Sequence, residues 1–201
     1  MIINWYGEGC FKVQTGGITI LTDPFSSETG LTPPRFKADI TLLTKTQYPY
    51  EEEESEERRI YGAGEYEIQG IEILGFPITG DKETIKTAYL VHAEEIYLGF
   101  LGHLTTAPDP KLIEDLGKAD ILFIPAGGEP YISEEIAGKL LKQLNPKIVV
   151  PAFFKTPGLK RKTTSTDAFL KEIGKKTVPE EKLTIKKKEL PQSLEVRELK
   201  L

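Results

Sequence analysis

The first half of the chain is patterned in short apolar runs that are rich in β-branched residues and separated by Gly, Pro and Asp. Such runs predict β-strands, here at residues 2–5, 10–15, 18–22 and 40–43. Gly16-Gly17 joins the second run to the third, and a Gly-Gly pair predicts a tight hairpin because its central positions need positive φ. Strand-like alternation resumes at residues 65–69, 71–78, 87–92 and 96–101.

The apolar spacing becomes helical from Pro108 onward. A short helix is predicted near residues 112–116, and a second helix with one apolar face is predicted to begin at Ser133. A fully apolar run at 121–125 and a largely apolar run at 147–150 flank the second helix and predict buried strands. This strand-helix-strand order predicts a parallel pair joined by a right-handed crossover.

Two parts of the chain carry weaker patterns. The segment 45–59 is dense in Glu, and repulsion between like charges predicts a solvated loop there. The tail predicts a helix near 167–173 and strands at 183–187 and 194–199. No Gly/Ser-rich linker, repeat or shift in composition marks a boundary, so the sequence predicts one mixed α/β domain over residues 1–201.

Composition and charge exclude several classes of protein. The 26 Lys plus Arg against 31 Asp plus Glu leave a formal net charge of −5, which argues against a nucleic-acid module with a broad basic face. No apolar run reaches the roughly eighteen residues of a membrane span, and the start lacks the features of a signal peptide. The single Cys excludes an internal disulfide, so we expect a cytoplasmic protein with no membrane partner.

Several local motifs occur in an order that is typical of a known superfamily. Residues 5–11 read WYGEGCF, residues 20–25 read ILTDPF, and residues 38–44 read ADITLLT. These motifs resemble the metallo-β-lactamase superfamily, and most closely its small bacterial branch near the ascorbate-phosphate lactonase-like hydrolases. The resemblance continues in the same order at residues 64–66, 101–103, 119–125, 127–128 and 145–151. It implies an αββα sandwich of two mixed β-sheets flanked by helices, with the reaction centre at one edge.

The resemblance also implies a zinc pair, but the ligand positions differ in this chain. Where the branch has a strand running into T-H-x-H-x-D-H, the chain has Thr44 followed by other residues at the ligand positions, namely Lys45, Gln47, Pro49 and Tyr50. Glu8 stands at the histidine position of the G-H-S-C-F segment, and Phe153 stands at a late histidine position. Among these ligand positions, Asp23 alone keeps the residue that the family has.

The chain has two histidines, His92 and His103. They cannot supply the three-histidine and carboxylate set that the family's zinc pair needs. We therefore expect no dinuclear zinc centre and no cofactor. His92 comes just before a turn and is predicted to lie at the surface end of a strand.

Five residues are candidates for catalysis if the chain is an enzyme: Asp23, His103, Lys45, Glu8 and Cys10. His103 stands where the family places a metal-bridging Asp, and an imidazole can move a proton near neutral pH. The plainer interpretation is a loop residue after a strand. Cys10 would need a nearby base and an exposed sulfur, whereas its motif favours a buried strand position. Asp23 precedes a Pro, where Asp is also common in turns.

The predicted pocket combines Glu8, Asp23, Lys45, Gln47, His103 and Phe153. Further cations could surround it, namely Arg35, Lys37, Lys155, Lys160, Arg161 and Lys162. They would suit a phosphate or carboxylate ligand, although solvated loop charge is the favoured interpretation. We expect the Lys45 ammonium about 4 to 6 Å from the carboxylate of Asp23 or Glu8, in a pocket closed or narrowed by aromatic rings.

Two functions remain open from the sequence. Replacement of nearly all ligand positions, with the strand and turn motifs kept, favours a non-catalytic binding or interaction protein whose partner is an unknown small molecule or protein. The alternative is a hydrolase of an ester, lactone or phosphodiester with a remodelled metal-poor or metal-free centre. Fold alone does not decide between them, because function lives in the site. The oligomeric state does not follow from the sequence.

Overall fold

Two mixed β-sheets form the frame of the molecule. The structure is a computed structural model that describes residues 1–50, 58–80 and 82–201. The first sheet contains β1 (Ile2–Gly7), β2 (Cys10–Thr15), β3 (Ile18–Thr22), β4 (Ile40–Leu43), β6 (Arg58–Tyr61) and β13 (Leu183–Thr184). Its order is β13-β1-β2-β3-β4-β6. Pairing is antiparallel from β13 to β3 and parallel from β3 to β6.

The second sheet is also mixed. It contains β5 (Lys45–Gln47), β7 (Gly64–Ile68), β8 (Ile71–Ile78), β9 (Thr84–Ala93), β10 (Ile96–Phe100), β11 (Ile121–Pro125), β12 (Ile148–Ala152) and β14 (Glu195–Val196). Its order is β14-β12-β11-β10-β9-β8-β7, and β5 pairs with β9. The strands β7 to β10 are antiparallel, whereas β10, β11, β12 and β14 are parallel. The predicted parallel pair is thus β11 and β12.

Three α-helices in the described residues pack on the outer face of the second sheet: α1 (Pro110–Asp115), α2 (Glu134–Leu144) and α3 (Asp167–Glu172). Side-chain oxygens of Asp109 and Ser133 cap the first two helices, each accepting a hydrogen bond from a backbone N–H of the first turn. Asn145 ends α2 in the left-handed region. Among the described helices, none has the length and apolar character that crossing a membrane would require.

The core lies between the two sheets, where apolar side chains from both inner faces pack together. Alternation along β1 buries Ile3 and Trp5 between more exposed neighbours. All five positions at which the sequence predicts burial are at most 2% exposed, namely Ile20, Leu42, Ile121, Phe123 and Val149. The predicted fold class, an α/β sandwich of two mixed sheets with flanking helices, is confirmed by this arrangement and by the structural neighbours reported below.

The structure differs from the sequence prediction in three places. Within the predicted loop 45–59, residues 45–47 form β5 because β9 offers a pairing partner far away in the chain, and residues 58–59 begin β6 by pairing with β4. Residues 51–57 of the same predicted loop lie outside the described residues. The tail strands β13 and β14 are only two residues long. The third difference is on the outer face of the first sheet, where side chains of the irregular segment 24–38, for which the sequence predicts no element, cover Cys10 and Leu21.

Candidate active site

The candidate site lies where strand ends from both sheets meet. Asp23 directly follows β3 and Thr44 directly follows β4, and these two strands are parallel neighbours. His103 comes shortly after β10 and Phe153 directly after β12, on the parallel half of the second sheet. Glu8 lies in the tight turn between β1 and β2. This edge is the location that the family resemblance implies for the reaction centre.

A chain of short hydrogen bonds joins Asp23, Thr44 and His103. The Thr44 hydroxyl lies 2.6 Å from Asp23 Oδ2 and 2.7 Å from His103 Nδ1. The backbone N–H of Thr44 donates to Asp23 Oδ1 at 2.7 Å. Nε2 of His103 makes no hydrogen bond to a described residue and therefore remains available from the cavity that the imidazole lines. The three residues form a path along which protons can be exchanged.

Local backbone geometry holds this chain of hydrogen bonds in place. Asp23 itself has a φ of 39° and donates its backbone N–H to Leu42 O at 2.9 Å. Gly102 has a φ of 52°, and a Cβ at this position would lie 2.2 Å from Thr44 Cβ. Only glycine fits this close approach without displacing Thr44. The residue before His103 therefore lets the threonine reach the imidazole.

Burial and nearby charge shift the pKa values of Asp23 and His103, the two titratable groups joined by these hydrogen bonds, in opposite directions. Burial raises the pKa of Asp23 to about 7, although its hydrogen bonds from Thr44 oppose the shift. Burial also lowers the pKa of His103 to about 3, and the positive charges of Lys45, Lys86 and Arg161 add to the effect. At neutral pH the imidazole is therefore uncharged, and the carboxyl group is divided between its neutral and ionised forms.

A second carboxylate on the same edge is held quite differently. Glu8 accepts hydrogen bonds from Nε and Nη2 of Arg161, at distances from 3.0 to 3.2 Å. The same guanidinium donates to Phe153 O at 2.7 Å and lies 5.1 Å from the ring centre of Tyr131. Phe153 N in turn donates to Glu8 O at 3.1 Å. This network ties the β1–β2 turn to the loop after β12.

These groups line a cavity of about 520 Å³. The rings of Phe153 and Tyr131 form one wall and stand edge-on to the His103 imidazole, with ring centres 4.9 and 5.9 Å away. Such a volume accommodates a small organic molecule. The prediction of a closed pocket is therefore wrong, because a cavity remains beside His103 with these rings in its wall; a narrowing of the pocket by the rings stays a prediction.

The cavity brings together most of the predicted pocket residues: Glu8, Asp23, Lys45, His103 and Phe153 all line it. Gln47, the exposed last residue of β5, does not line it. Cys10 is fully buried beside Leu21, and burial raises the pKa of its thiol well above the usual range. A thiol that is neither ionised nor accessible is not a nucleophile.

The cations near the site have different partners. Arg161 is the ion-pair partner of Glu8, whereas Lys45 makes no ion pair within 4.0 Å in the described part of the chain, so its approach to about 4 to 6 Å from a carboxylate stays a prediction. Lys160 and Arg161 line the cavity with Lys45. Arg35 lines a separate cavity, and His92 stacks on Tyr97 on β9 and β10 as a surface residue.

Sequence reasoning missed Thr44 and Tyr131 as members of the site. A signal for Thr44 was present, because Asp23 and Thr44 each follow a predicted strand and the ends of parallel strands meet at one edge. No local pattern marks Tyr131, which follows the turn after β11 and reaches the cavity through tertiary packing.

The donor set does not fit the zinc pair that the resemblance implies. In the residues that the structure describes, no group of three or more His, Cys, Asp or Glu side chains is placed to hold a metal ion. Glu8 is engaged by a guanidinium, and three cations already act on His103. Zinc sites require three or four such ligands, so the described side chains do not fit a zinc pair.

Comparisons with known proteins find the same architecture in relatives, and some of these relatives are named hydrolases. A UPF0173 protein of Pyrococcus abyssi is 29% identical over 203 residues, covering 89% of this chain and 93% of its own length. A protein named UPF0173 metal-dependent hydrolase, from Geobacillus thermodenitrificans, is also 29% identical and covers 78% of this chain and 86% of its own length.

Solved structures give the same result. The crystal structure of a candidate Zn-dependent hydrolase of the metallo-β-lactamase superfamily from Thermotoga maritima matches with a TM-score of 0.81 and 27% identity, over 98% of both chains. A metallo-β-lactamase fold protein of Bacillus subtilis, 10% identical, has a TM-score of 0.65 over 99% of this chain and 95% of its own, and shows the fold alone.

The names of these relatives overturn the expectation of a non-catalytic binding or interaction protein. That expectation treated the replaced ligand positions as loss of chemistry, whereas the Geobacillus relative and the Thermotoga maritima structure are hydrolases by name and the cavity is open. A family model described as "Beta-lactamase superfamily domain" matches residues 2–152, which is most of the chain. The protein therefore belongs to the β-lactamase superfamily, in its metallo-β-lactamase fold.

Proposed function

We propose that the protein is a hydrolase of small esters, lactones or phosphodiesters, with a metal-poor or metal-free centre built on Asp23, Thr44 and His103. The observation that carries the proposal is the hydrogen-bonded path from Asp23 through Thr44 to His103, which ends at an imidazole lining a cavity of about 520 Å³. The hydrolase names of relatives that cover most of the chain support the reaction class.

The protonation state of Asp23 decides what His103 can do. The Thr44 hydroxyl has a single proton and two partners. When Asp23 is ionised, the hydroxyl donates to Asp23 Oδ2 and accepts from His103 Nδ1–H. The imidazole is then the Nδ1–H tautomer, and its free lone pair is on Nε2, available to the cavity. In this state His103 is a general base.

The opposite state blocks base catalysis. When Asp23 is protonated, it donates to the Thr44 oxygen, and the hydroxyl donates in turn to His103 Nδ1. The imidazole is then the Nε2–H tautomer, which offers a donor to the cavity instead of a lone pair. Because the pKa of Asp23 is about 7, base activity develops as the pH rises through neutrality.

Hydrolysis of an ester or lactone then follows in two proton transfers. Nε2 removes a proton from a water molecule while the water oxygen forms a bond to the carbonyl carbon. The bond from that carbon to the alkoxide oxygen breaks, and the imidazolium returns the proton to the departing oxygen. An imidazolium at this site is a strong acid because its pKa is about 3.

The test is an assay of the purified protein against ester, lactone and phosphodiester substrates. Its metal content is measured in parallel. We expect turnover that survives exhaustive dialysis against a chelator. His103→Gln and Thr44→Val should each lower kcat/KM by about 10²-fold or more. His103→Gln should change the melting temperature little, whereas Thr44→Val should also lower it, because Asp23 and His103 lose a buried hydrogen-bond partner. His92→Gln, on the distant hairpin, is the matched control and should retain full activity.

Two outcomes count against this centre. Turnover that is lost on chelation and restored by a stoichiometric metal would show that the protein is a metal-dependent hydrolase with ligands other than those described here. Turnover that is equal in His103→Gln and the parent would show that the reaction does not use the imidazole. No turnover on any of the three substrate classes would refute the proposal that the protein is a hydrolase of these substrates.

A further inference from the structure

The two ends of the second sheet differ in how far they are covered. At one end, the segment 177–180 covers β14 and the residues after it: Thr177 Oγ1 donates to Val196 O at 3.0 Å, and Glu180 N donates to Glu198 O at 2.9 Å. At the other end lies β7, which pairs with β8 alone. Its outer side makes no backbone hydrogen bond in the described part of the chain. The end at β7 is therefore an open strand edge.

The register of β7 on β8 identifies the backbone groups that are open. The two strands are joined by a two-residue turn whose residues both have positive φ, and their register is regular, with no bulge. In such a hairpin the residues that flank the turn, here Ile68 and Ile71, exchange backbone hydrogen bonds, and the pattern alternates along the strands. Glu65 and Glu67 are therefore in pairs that do not hydrogen bond with β8. Their N–H and C=O groups point to the open side, which offers two donors and two acceptors.

The side chains of β7 differ between its two faces. Tyr66 and Ile68 pack against the core between the sheets and are only half-buried there. Glu65 and Glu67 are exposed on the other face and make no ion pair with a described residue. Glu67 also lies directly opposite Glu72 of β8, and like charges in directly opposite positions destabilise a sheet. A cation beside Glu67 would offset this repulsion.

A second copy of the chain does not fit this edge. Two β7 strands that pair antiparallel about Tyr66 would place Glu65 of each copy directly opposite Glu67 of the other, on the same face. Four carboxylates would then meet without a cation between them. Charged side chains on an edge strand protect proteins against this kind of pairing between copies. An occupant of this edge therefore needs positive charge.

We propose that β7 is a docking edge for an extended segment of a partner protein in which Lys or Arg alternates with apolar side chains. The segment adds to the second sheet as an antiparallel strand beside β7. Its basic residues lie opposite Glu65 and Glu67, and its apolar residues lie opposite Tyr66 and Ile68. In strand addition, main-chain hydrogen bonds give the affinity and alternate side chains give the specificity. None of residues 64–68 lines the cavity at the candidate active site, so docking does not depend on the proposed hydrolysis.

Binding of a short peptide to the full chain tests this edge. The probe is acetyl-Val-Lys-Val-Lys-Val-amide, titrated into isotope-labelled protein at low ionic strength, where charge interactions are least screened. Without peptide, the backbone amides of Glu65 and Glu67 should exchange rapidly with solvent. We expect saturable chemical-shift changes centred on residues 64–68, with a dissociation constant of about 1 mM or lower. In the complex these two amides should exchange more slowly, because they become hydrogen-bonded.

Changes to the probe and to the protein separate strand addition from simple attraction between charges. Methylation of both lysine backbone nitrogens keeps the charges but removes the donors to Glu65 O and Glu67 O, and should weaken binding by about tenfold or more. A peptide with Glu in place of Lys should not bind. Glu65→Gln and Glu67→Gln should each weaken binding about twofold to fivefold. Glu195→Gln, on the covered edge strand β14, is the matched control and should bind the peptide as the parent does.

Three results would overturn the docking edge. The first is no saturable binding of the lysine peptide at millimolar concentration. The second is equal binding of the methylated peptide, or binding that is unchanged in both glutamine variants. The third is protection of the Glu65 and Glu67 amides before any peptide is added, which would show that the edge is already occupied, by a second copy if sedimentation gives a dimer. None of these results bears on the hydrolase proposal, because turnover is measured at a separate site.

Discussion

Two carboxylates lie on the same cavity, and their partners differ. Glu8 is held by the guanidinium of Arg161 in a fork of hydrogen bonds. Asp23 is held by a neutral hydroxyl and a backbone N–H, both from Thr44. A guanidinium does not give up its proton in proteins, so the first pair can only hold geometry. A hydroxyl can reverse its hydrogen bond, so the second arrangement can pass a change of protonation on to His103.

The difference shows that one edge of the sandwich carries two kinds of arrangement. The fixed half is the Glu8–Arg161 pair, and the titratable half is the hydrogen-bonded chain of Asp23, Thr44 and His103. The Glu8–Arg161 pair joins loops that are 153 residues apart in sequence and sets the wall on which Tyr131 and Phe153 pack. The Asp23 carboxyl is largely buried without a cation, and its raised pKa is the cost of that burial. The following variants break one half at a time.

Asp23→Asn should have the largest effect and should act on catalysis instead of stability. The amide oxygen can accept from Thr44 N–H, but the amide nitrogen must donate to the Thr44 hydroxyl. Thr44 is then forced to donate to His103 Nδ1, which locks the Nε2–H tautomer. We expect kcat/KM to fall by about 10² to 10⁴-fold with an unchanged or higher melting temperature.

The tautomer gives this prediction a readout that turnover does not provide. Nitrogen chemical shifts of His103, measured from pH 5 to 9, should report Nε2–H throughout in Asp23→Asn. In the parent they should change from Nε2–H to Nδ1–H around pH 7. Asp115→Asn, which removes a carboxylate from a surface ion pair with Lys111, should behave as the parent. A parent imidazole that keeps one tautomer across the whole range would contradict the relay.

Arg161→Met should have the opposite signature, a loss of stability. It leaves Glu8, whose side chain is 13% exposed, without a partner, and removes the donor to Phe153 O. We expect a loss of about 2 to 4 kcal/mol in the free energy of unfolding, below the range for fully buried pairs because Arg161 is 24% exposed. Denaturant unfolding measures it.

Arg197→Met is the control, because Arg197 pairs with Glu195 and Glu180 in a more exposed cluster. Its expected loss is about 1 kcal/mol or less. Replacing both partners, as in Glu8→Gln with Arg161→Met, should recover part of the stability, since no uncompensated charge remains. Equal losses for the two arginine variants would show that the Glu8 pair is an ordinary surface contact.

Gly102→Ala tests the packing that brings Thr44 to His103. Both Gly102 and Gly174 have positive φ, of 52° and 63°, so alanine is strained at either position. At Gly102 the new Cβ also meets Thr44 at 2.2 Å, whereas at Gly174 nothing lies within 4 Å. We expect Gly102→Ala to cost about 1 to 3 kcal/mol more than Gly174→Ala in unfolding free energy. Equal costs would mean that Thr44 can move aside freely.

The fold was largely predictable from the sequence, because its signals are local. Continuous apolar runs predicted β11 and β12, and Gly16-Gly17 predicted a hairpin whose two glycines have φ values of 55° and 84°. The strand β5 was not predictable, because Lys45–Gln47 is polar and becomes a strand only by pairing with β9. Local pattern carries no information about a partner that lies far along the chain.

The site was predictable only in part, for a related reason. Asp23 and His103 were found by comparison with a family motif, and both line the cavity. The partner of Glu8 was not found, since nothing near Glu8 points to a guanidinium 153 residues away. The replaced ligand positions favoured a closed, inactive pocket, but whether rings fill a space or stand beside it depends on backbone geometry. The Phe153 ring is buried, and it lines the cavity wall with its centre 4.9 Å from the His103 ring centre.

The effect that compares the titratable groups most directly is the pH dependence of stability. Asp23 has an ordinary pKa of 3.8 and a folded pKa of about 7. Between these values the folded state keeps a proton that the unfolded state has released, so Asp23 makes stability fall as the pH rises. His103 has an ordinary pKa of 6.5 and a folded pKa of about 3. Between those values only the unfolded state binds the proton, so His103 makes stability rise with pH.

The two slopes overlap from about pH 4 to 6.5 and oppose each other, each by at most about 1.4 kcal/mol per pH unit. Relative to the parent, Asp23→Asn should therefore lose stability as the pH falls through this range, because the His103 slope is no longer offset. His103→Gln should lose stability relative to the parent as the pH rises through the same range. Denaturant unfolding of the three proteins at several pH values measures both differences, and other groups cancel in the comparison. Parallel curves for the parent and both variants would show that neither group has a shifted pKa, and the titratable half of the site would then be as fixed as the Glu8–Arg161 half.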